Sequence, residues 1–215
     1  MKITKFVHSC LLVEVDSPIR RVALFDPGAF SVDALSVDLL DQLDDIFITH
    51  EHGDHFSVEL IKRLVEEFPK VRITAPESVV AQLEQAGISA STQPPEGVTL
   101  FSSPHEKIRP YFEADPPEEY GYHYLNALSD PGDSHSFTET MAILALPVTG
   151  PWGSVVNATE LALKLKPKHV IPVHDWHWND IAREGMYDSL ETSLGADDIK
   201  FYRMKTGEPV IIDEV

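Results

Sequence analysis

The chain has 215 residues, 43% of them hydrophobic, which is enough for one well-packed domain, whereas two separate domains would each be small. Lys and Arg number 17 against 35 Asp and Glu, and the formal net charge of -18 opposes attraction to phosphate backbones and anionic membrane surfaces. A single cysteine, Cys10, excludes an intramolecular disulfide and a cysteine-based zinc finger, and it reads as a small buried hydrophobe.

The N-terminal Met-Lys-Ile-Thr-Lys enters a strand-like run without the apolar region and cleavage site of a secretory signal, and no stretch approaches the ~18 apolar residues of a membrane span. A cytoplasmic protein that binds neither membrane nor nucleic acid is expected. Lys5 to Val15 reads as a strand closed by turn-prone residues 16–18, and Arg21 to Phe25 as a second one closed by Asp26, Pro27 and Gly28, so the pair forms a β-hairpin. Val32, Leu35, Leu39, Leu40 and Leu43 then recur at three- and four-residue spacing, as on an amphipathic helix. A buried strand, Asp45 to Ile48, follows.

Ser57 can cap a helix whose apolar positions Leu60, Ile61, Leu64, Val65 and Phe68 keep helical period up to Pro69. Val71 to Thr74 is a short strand, and Pro76 opens another helix that ends before Gly87. Gly97 to Ser102 is a strand leading to His105. Residues 108–122 carry three prolines among aromatic and acidic side chains and read as a loop insertion that could act as a lid. Strands are expected at Tyr122 to Leu128 and Met141 to Val148, a helix at Ser154 to Leu165, and a strand at His169 to Val173 that ends in His174. Strands and helices in this order define an α/β architecture. The two halves, about 1–103 and 104–215, share a plan that fits two similar layers within one domain.

The chemistry is concentrated in His50, Glu51, His52, Gly53, Asp54 and His55, at the end of the buried strand. A loop rooted on a rigid strand can aim several imidazoles and a carboxylate at one point. His50 and His52 share one side of an extended segment, whereas Asp54 and His55 follow the flexible Gly53 and can turn to a second point, so the cluster can serve two metals. The helical zinc-protease pattern is excluded, because the fourth residue after His50 is Asp54 and Gly53 disfavours a helix. Two closed sites need further ligands, and His105, Asp133 and His174 each follow a strand-like run.

Thr49 to His55, together with Phe25-Asp26-Pro27-Gly28, Pro104-His105-Glu106, Gly132-Asp133-Ser134 and Ile171-Pro172-Val173-His174, resembles the successive motifs of the metallo-β-lactamase superfamily. The chain is most similar there to the L-ascorbate-6-phosphate lactonase-like branch. That resemblance implies an αββα sandwich of two packed mixed β-sheets with helices on the outer faces. It also implies His50, His52 and His105 on one metal, Asp54, His55 and His174 on the other, and Asp133 bridging. Asp26 matches a buried carboxylate that orients ligand histidines. The sequence around His105 departs from the thioesterase pattern, and His52 stands where diiron electron-transfer members carry Glu. Trp152 replaces the usual small residues of its loop.

These residues imply a metal-dependent hydrolase in which two divalent ions activate water toward a carbonyl or phosphorus centre. Zinc is the first expectation, with manganese or iron compatible with the same donors. Asp54 is the candidate for managing the proton of the attacking water, and His135 or His8 for protonating the leaving group. For His8 a satisfied core histidine is the competing interpretation. Trp152, Trp176, His177 and Tyr111 are candidate substrate contacts, although Trp176 and Trp178 could equally cover an edge of the fold. The substrate is expected to be a small, anionic ester, lactone or phosphodiester. The competing functions are a nucleotide or RNA phosphodiesterase, against which the charge argues, and a non-catalytic metal-binding, ligand-sensing module.

Overall fold

The computed structural model describes residues 1–16 and 18–213; Ser17, in the turn expected after Val15, lies outside them, as does the side chain of Leu39. In chain order the strands are β1 (Lys2–Lys5), β2 (Leu11–Val15), β3 (Arg21–Phe25), β4 (Asp45–Phe47), β5 (Arg72–Thr74), β6 (Val98–Phe101), β7 (Gly121–Tyr124), β8 (Leu128–Asp130), β9 (Ile143–Pro147), β10 (His169–Val173), β11 (Lys200–Phe201) and β12 (Pro209–Ile211). The α-helices are α1 (Val58–Glu67), α2 (Glu77–Gln85), α3 (Val155–Leu165) and α4 (Asp180–Gly195). None of the described helices is long and apolar enough to cross a membrane. The chain divides into two compact units, Met1–Pro95 with Met204–Val215, and Glu96–Arg203.

The first unit holds one six-stranded sheet in the order β12-β1-β2-β3-β4-β5. The expected hairpin is β2 with β3, but Lys5 to Val15 is not one strand: β1 ends at Lys5, and residues 6–10 turn before β2 begins. Neighbours β3, β4 and β5 are parallel, with Phe25 opposite Phe47 and Phe47 opposite Thr74, so their carboxyl ends leave one edge of the sheet together. Parallel strands need crossovers. α1 supplies one of them, beginning at Ser57, whose side chain accepts from the Leu60 N–H. Its buried Leu60, Ile61 and Leu64 join Leu24, Ile46, Ile48, Val79 and Leu83 in the core of this unit. Each such side chain contributes roughly 1.5–3 kcal/mol by leaving water.

The other crossover is not the expected helix. Across Val32 to Leu43 the chain makes one 3-10 turn, Val37–Leu39, preceded by another at Ala29–Ser31. Ser31, Asp33, Ser36 and Asp38 are short polar side chains that compete with helical backbone bonds. The apolar positions still do their work, since Leu35 and Leu43 are buried without a helix.

The second unit repeats the plan, with a six-stranded sheet in the order β11-β10-β9-β8-β7-β6. Strands β8, β9, β10 and β11 are parallel, so Asp133, Trp152 and His174 all follow carboxyl ends of neighbouring strands. Tyr122 to Leu128, expected as one strand, is a hairpin: β7 and β8 pair antiparallel around Leu125 and Asn126, whose φ values are 51 and 53. Asn tolerates that left-handed conformation, which turns the chain. Helix α3 starts at Ser154 in a capping box with Asn157. Helix α4, which hydrophobic periodicity does not mark, buries Tyr187, Leu190 and Leu194 against the core that holds Leu144, Leu146 and Val170.

Candidate metal centre

In the first unit the β4 end and the loop after β3 are fastened to each other. Ala29 N–H donates to Gly53 O at 2.7 Å, and Ser57 N–H to Pro27 O at 3.1 Å. The approach is so close at Gly28 that a Cβ there would lie 1.8 Å from the backbone oxygen of Asp54. This clamp brings the fully buried Asp26 beneath the histidine loop. Its Oδ1 accepts from Thr49 N–H at 2.7 Å, while Oδ2 accepts from Thr49 Oγ1 at 2.8 Å and faces His55 Nδ1 at 2.7 Å.

Those contacts set the tautomers. A carboxylate can only accept, so His55 carries its proton on Nδ1 and keeps the Nε2 lone pair. The Thr49 hydroxyl spends its proton on Asp26 and therefore accepts from His50 Nδ1, 3.1 Å away, which leaves His50 with an Nε2 lone pair as well. An outer acceptor that fixes the tautomer of each imidazole is the arrangement that supports metal-ligating histidines. His50 Nε2 lies 3.1 Å from His52 Nδ1. Two nitrogens held at about 2.0–2.1 Å by one tetrahedral ion stand about 3.3 Å apart, so this pair fits a shared metal. His8, Asp54 and His55 form a further group with ligand atoms within 4.8 Å of one another.

In the second unit the loops after β6 and β8 are stapled. Ser103 Oγ donates to Pro131 O, Ser134 Oγ to Pro104 O, and Glu106 N–H to Asp133 O. His105 Nδ1 donates to Glu106 O at 2.7 Å, which again frees Nε2 as the donor atom, 3.6 Å from Asp133 Oδ2. His174, at φ 62 just past β10, brings its Nε2 to 3.1 Å from the Asp133 carboxylate. Glu119, at the end of the 108–120 loop, accepts from Asp133 N–H at 2.9 Å. The turn after His174 is held by the buried Asp175, whose Oδ2 accepts from Tyr187 at 2.5 Å and from Arg183 at 3.2 Å.

Trp152 stands over this group. Its Nε1–H donates to Asp133 Oδ2 at 3.1 Å, and its ring meets His135 and His174 edge-on at 5.2 Å. His135 donates Nε2–H to Pro147 O at 2.7 Å, and burial pushes its pKa down, which favours the neutral ring that packs against the indole. Trp176 and Tyr111 are both exposed, the first with its edge against His177 and the second against Phe112. Burial pushes the Cys10 thiol up to about 12, in keeping with a packed rather than a reactive cysteine.

The roles of Thr49, Glu106, Glu119, Arg183 and Tyr187 are scarcely marked in the sequence. The available signal was a hydroxyl beside the first histidine. The carboxylates that hold backbone N–H groups carry no such mark.

The family model of the metallo-beta-lactamase superfamily matches residues 3–119, more than half of the chain, and the chain belongs to that superfamily. Among curated relatives, Protein Rv0786c of Mycobacterium tuberculosis is 29% identical over 185 residues, spanning 81% of this chain and 84% of that protein. Among solved structures, Igni18, a metallo hydrolase from the hyperthermophilic archaeon Ignicoccus hospitalis, is 21% identical, with a TM-score of 0.71 over 100% of this chain and 99% of that one. A diphosphatase from the PhnP family is 21% identical, with a TM-score of 0.61 over 95% of this chain and 83% of that one. Both share its fold.

Proposed function

We propose that this protein is a dinuclear metal-dependent hydrolase acting on a small anionic ester, lactone or phosphodiester, as in the lactonase-like branch of the superfamily. The observation that carries the reading is the Asp26–Thr49 relay, which turns the Nε2 lone pairs of His50 and His55 outward from a buried carboxylate. A merely structural histidine cluster has no need of two fixed tautomers. On this reading His50, His52 and His105 would hold one ion and Asp54, His55 and His174 the other, with Asp133 as a shared ligand. When bound, the ions supply Lewis-acid activation of water and of the substrate oxygen, and zinc, manganese and iron all suit these donors.

The chain's own groups do the rest. Asp54 accepts the proton of the attacking water: its carboxylate is partly exposed, whereas His50 and His55 beside it are buried. Asp133 is held on three sides, by Trp152, His174 and its own N–H on Glu119, so it arrives preorganised. Trp152 gives the site an apolar wall, with Trp176, His177 and Tyr111 as more distant substrate contacts. His135, its Nε2–H engaged by Pro147, steadies that wall in this reading rather than protonating the leaving group. The similarity to a diphosphatase keeps phosphorus substrates in view. A nucleic-acid substrate is disfavoured by the charge of -18. A cytoplasmic setting suits a chain whose one cysteine is free and buried.

Metal analysis of the purified protein, followed by turnover of aryl esters, lactones and bis-(p-nitrophenyl) phosphate, tests the proposal. About two metals per chain are expected, with turnover abolished in His52→Ala and Asp133→Asn. Undiminished turnover after thorough chelation, or none on any substrate of the panel, overturns it.

A further inference from the structure

We infer that His8 is itself a metal ligand, which adds an eighth residue to the seven carried by the family motifs, and that the turn between β1 and β2 is built to deliver it. The inference rests on the metal centre proposed above. His8 is 1% exposed and sits at φ 66, a left-handed conformation that costs a non-glycine residue on the order of 1 kcal/mol or more. Such strain persists where neighbours over-determine it. Here Phe6 N–H donates to Cys10 O at 2.9 Å, Cys10 N–H donates to Val7 O at 3.2 Å, and Ser31 Oγ donates to the same Val7 oxygen at 3.1 Å.

The turn aims the imidazole at the histidine loop. His8 Nε2 lies 3.2 Å from Asp54 Oδ2, close to the ~3.0 Å between adjacent donors held at ~2.1 Å and about a right angle by a five- or six-coordinate ion. The ring is held on two sides, edge-on to His55 at 5.2 Å and to Phe30 at 5.6 Å. One ligand atom from each of His8, Asp54 and His55 falls within 4.8 Å of the others, a mixed nitrogen and oxygen set from two segments of the first unit. A histidine present only to fill space could take an ordinary backbone conformation. This one is held in a costly conformation beside two other donors.

The competing role is a hydrogen bond to Asp54 with no bond to metal, and a direct spectroscopic test separates the two. His8→Asn and His8→Gly both tolerate the left-handed φ, so either variant retains the turn. The protein is labelled with nitrogen-15 histidine and loaded with cadmium-113. The number of imidazole nitrogens showing one-bond coupling to cadmium is expected to fall by one in each variant, and affinity for the second ion to fall roughly 10- to 100-fold, the scale seen when a ligand's environment is disturbed. An unchanged set of coupled nitrogens overturns the ligand assignment and leaves His8 as a hydrogen-bond partner. That outcome leaves the hydrolase reading standing. Loss of coupling in a protein that turns over nothing on the substrate panel retains the ligand and removes the enzyme.

Discussion

Thr49 Oγ1 donates to Asp26 and accepts from His50, and it also lies 3.3 Å from His55 Nδ1, so one hydroxyl fixes the orientation of two imidazoles. Thr49→Val keeps the shape and removes the polar atom. It leaves His50 Nδ1–H without its acceptor in a buried setting, at a cost of about 1–3 kcal/mol in stability. The larger expected effect is on metal: a 10- to 100-fold loss of affinity in chelator competition, because His50 can then adopt the wrong tautomer. Thr49→Ser retains the hydroxyl and should restore most of it. Equal affinities for the Val variant and the parent would mean that the relay does not support the ligands. Trp152 offers a second residue-scale test. Trp152→Phe keeps an aromatic wall but deletes the N–H on Asp133 Oδ2. A roughly 10- to 100-fold weaker metal affinity in chelator competition is expected, since a hydrogen bond to a carboxylate contributes about 1.5–3 kcal/mol and each 1.4 kcal/mol is tenfold.

At the scale of elements, what the sequence made legible was the placing of donors at strand ends, because a polar cluster after an apolar run has few other folded solutions. His50 to His55 after β4 and His174 after β10 are of this kind. Periodicity misled where local polar side chains competed with the helix, at Val32 to Leu43, and it was silent for α4. In α4 the buried stripe is only Tyr187, Leu190 and Leu194 in sixteen residues, too thin to stand out from the charged positions between them. The turn that presents His8 was also hidden, because a left-handed histidine has no signature in sequence. Helix α3 permits a clean test of local reasoning. It ends at Lys166, whose φ of 53 and ψ of 52 place a side-chain-bearing residue where glycine is favoured. The position is exposed, so Lys166→Gly relieves that strain at little other cost. A gain of about 0.5–1 kcal/mol in urea unfolding is expected. A loss would show that the lysine side chain matters to the fold.

For the whole molecule, acidity sets two opposing effects against each other. With a net charge of -18, the carboxylates repel one another, and lowering the pH from neutrality relieves some of that repulsion. Buried neutral histidines act in the other direction. His123 stacks on Phe101 at 4.1 Å and shares a hydrogen bond with Ser129 Oγ, and burial lowers its pKa below 6.5 in spite of the nearby Glu139. A depressed histidine binds more protons unfolded than folded, so its stabilisation is complete above the unfolded value of 6.5 and is lost as the pH falls through the folded one. Salt separates the two effects. Near 1 M the Debye length is about 3 Å, which screens surface repulsion and leaves a buried ring largely untouched. Metal-free protein in 1 M salt is therefore expected to lose stability over the interval below pH 6.5, where His123 takes up its proton on unfolding. His123→Gln, which cannot charge, should lose less over the same interval in paired urea titrations. If the variant and the parent fall in parallel, His123 is not part of the acid limb, and the loss belongs to the other histidines of the chain.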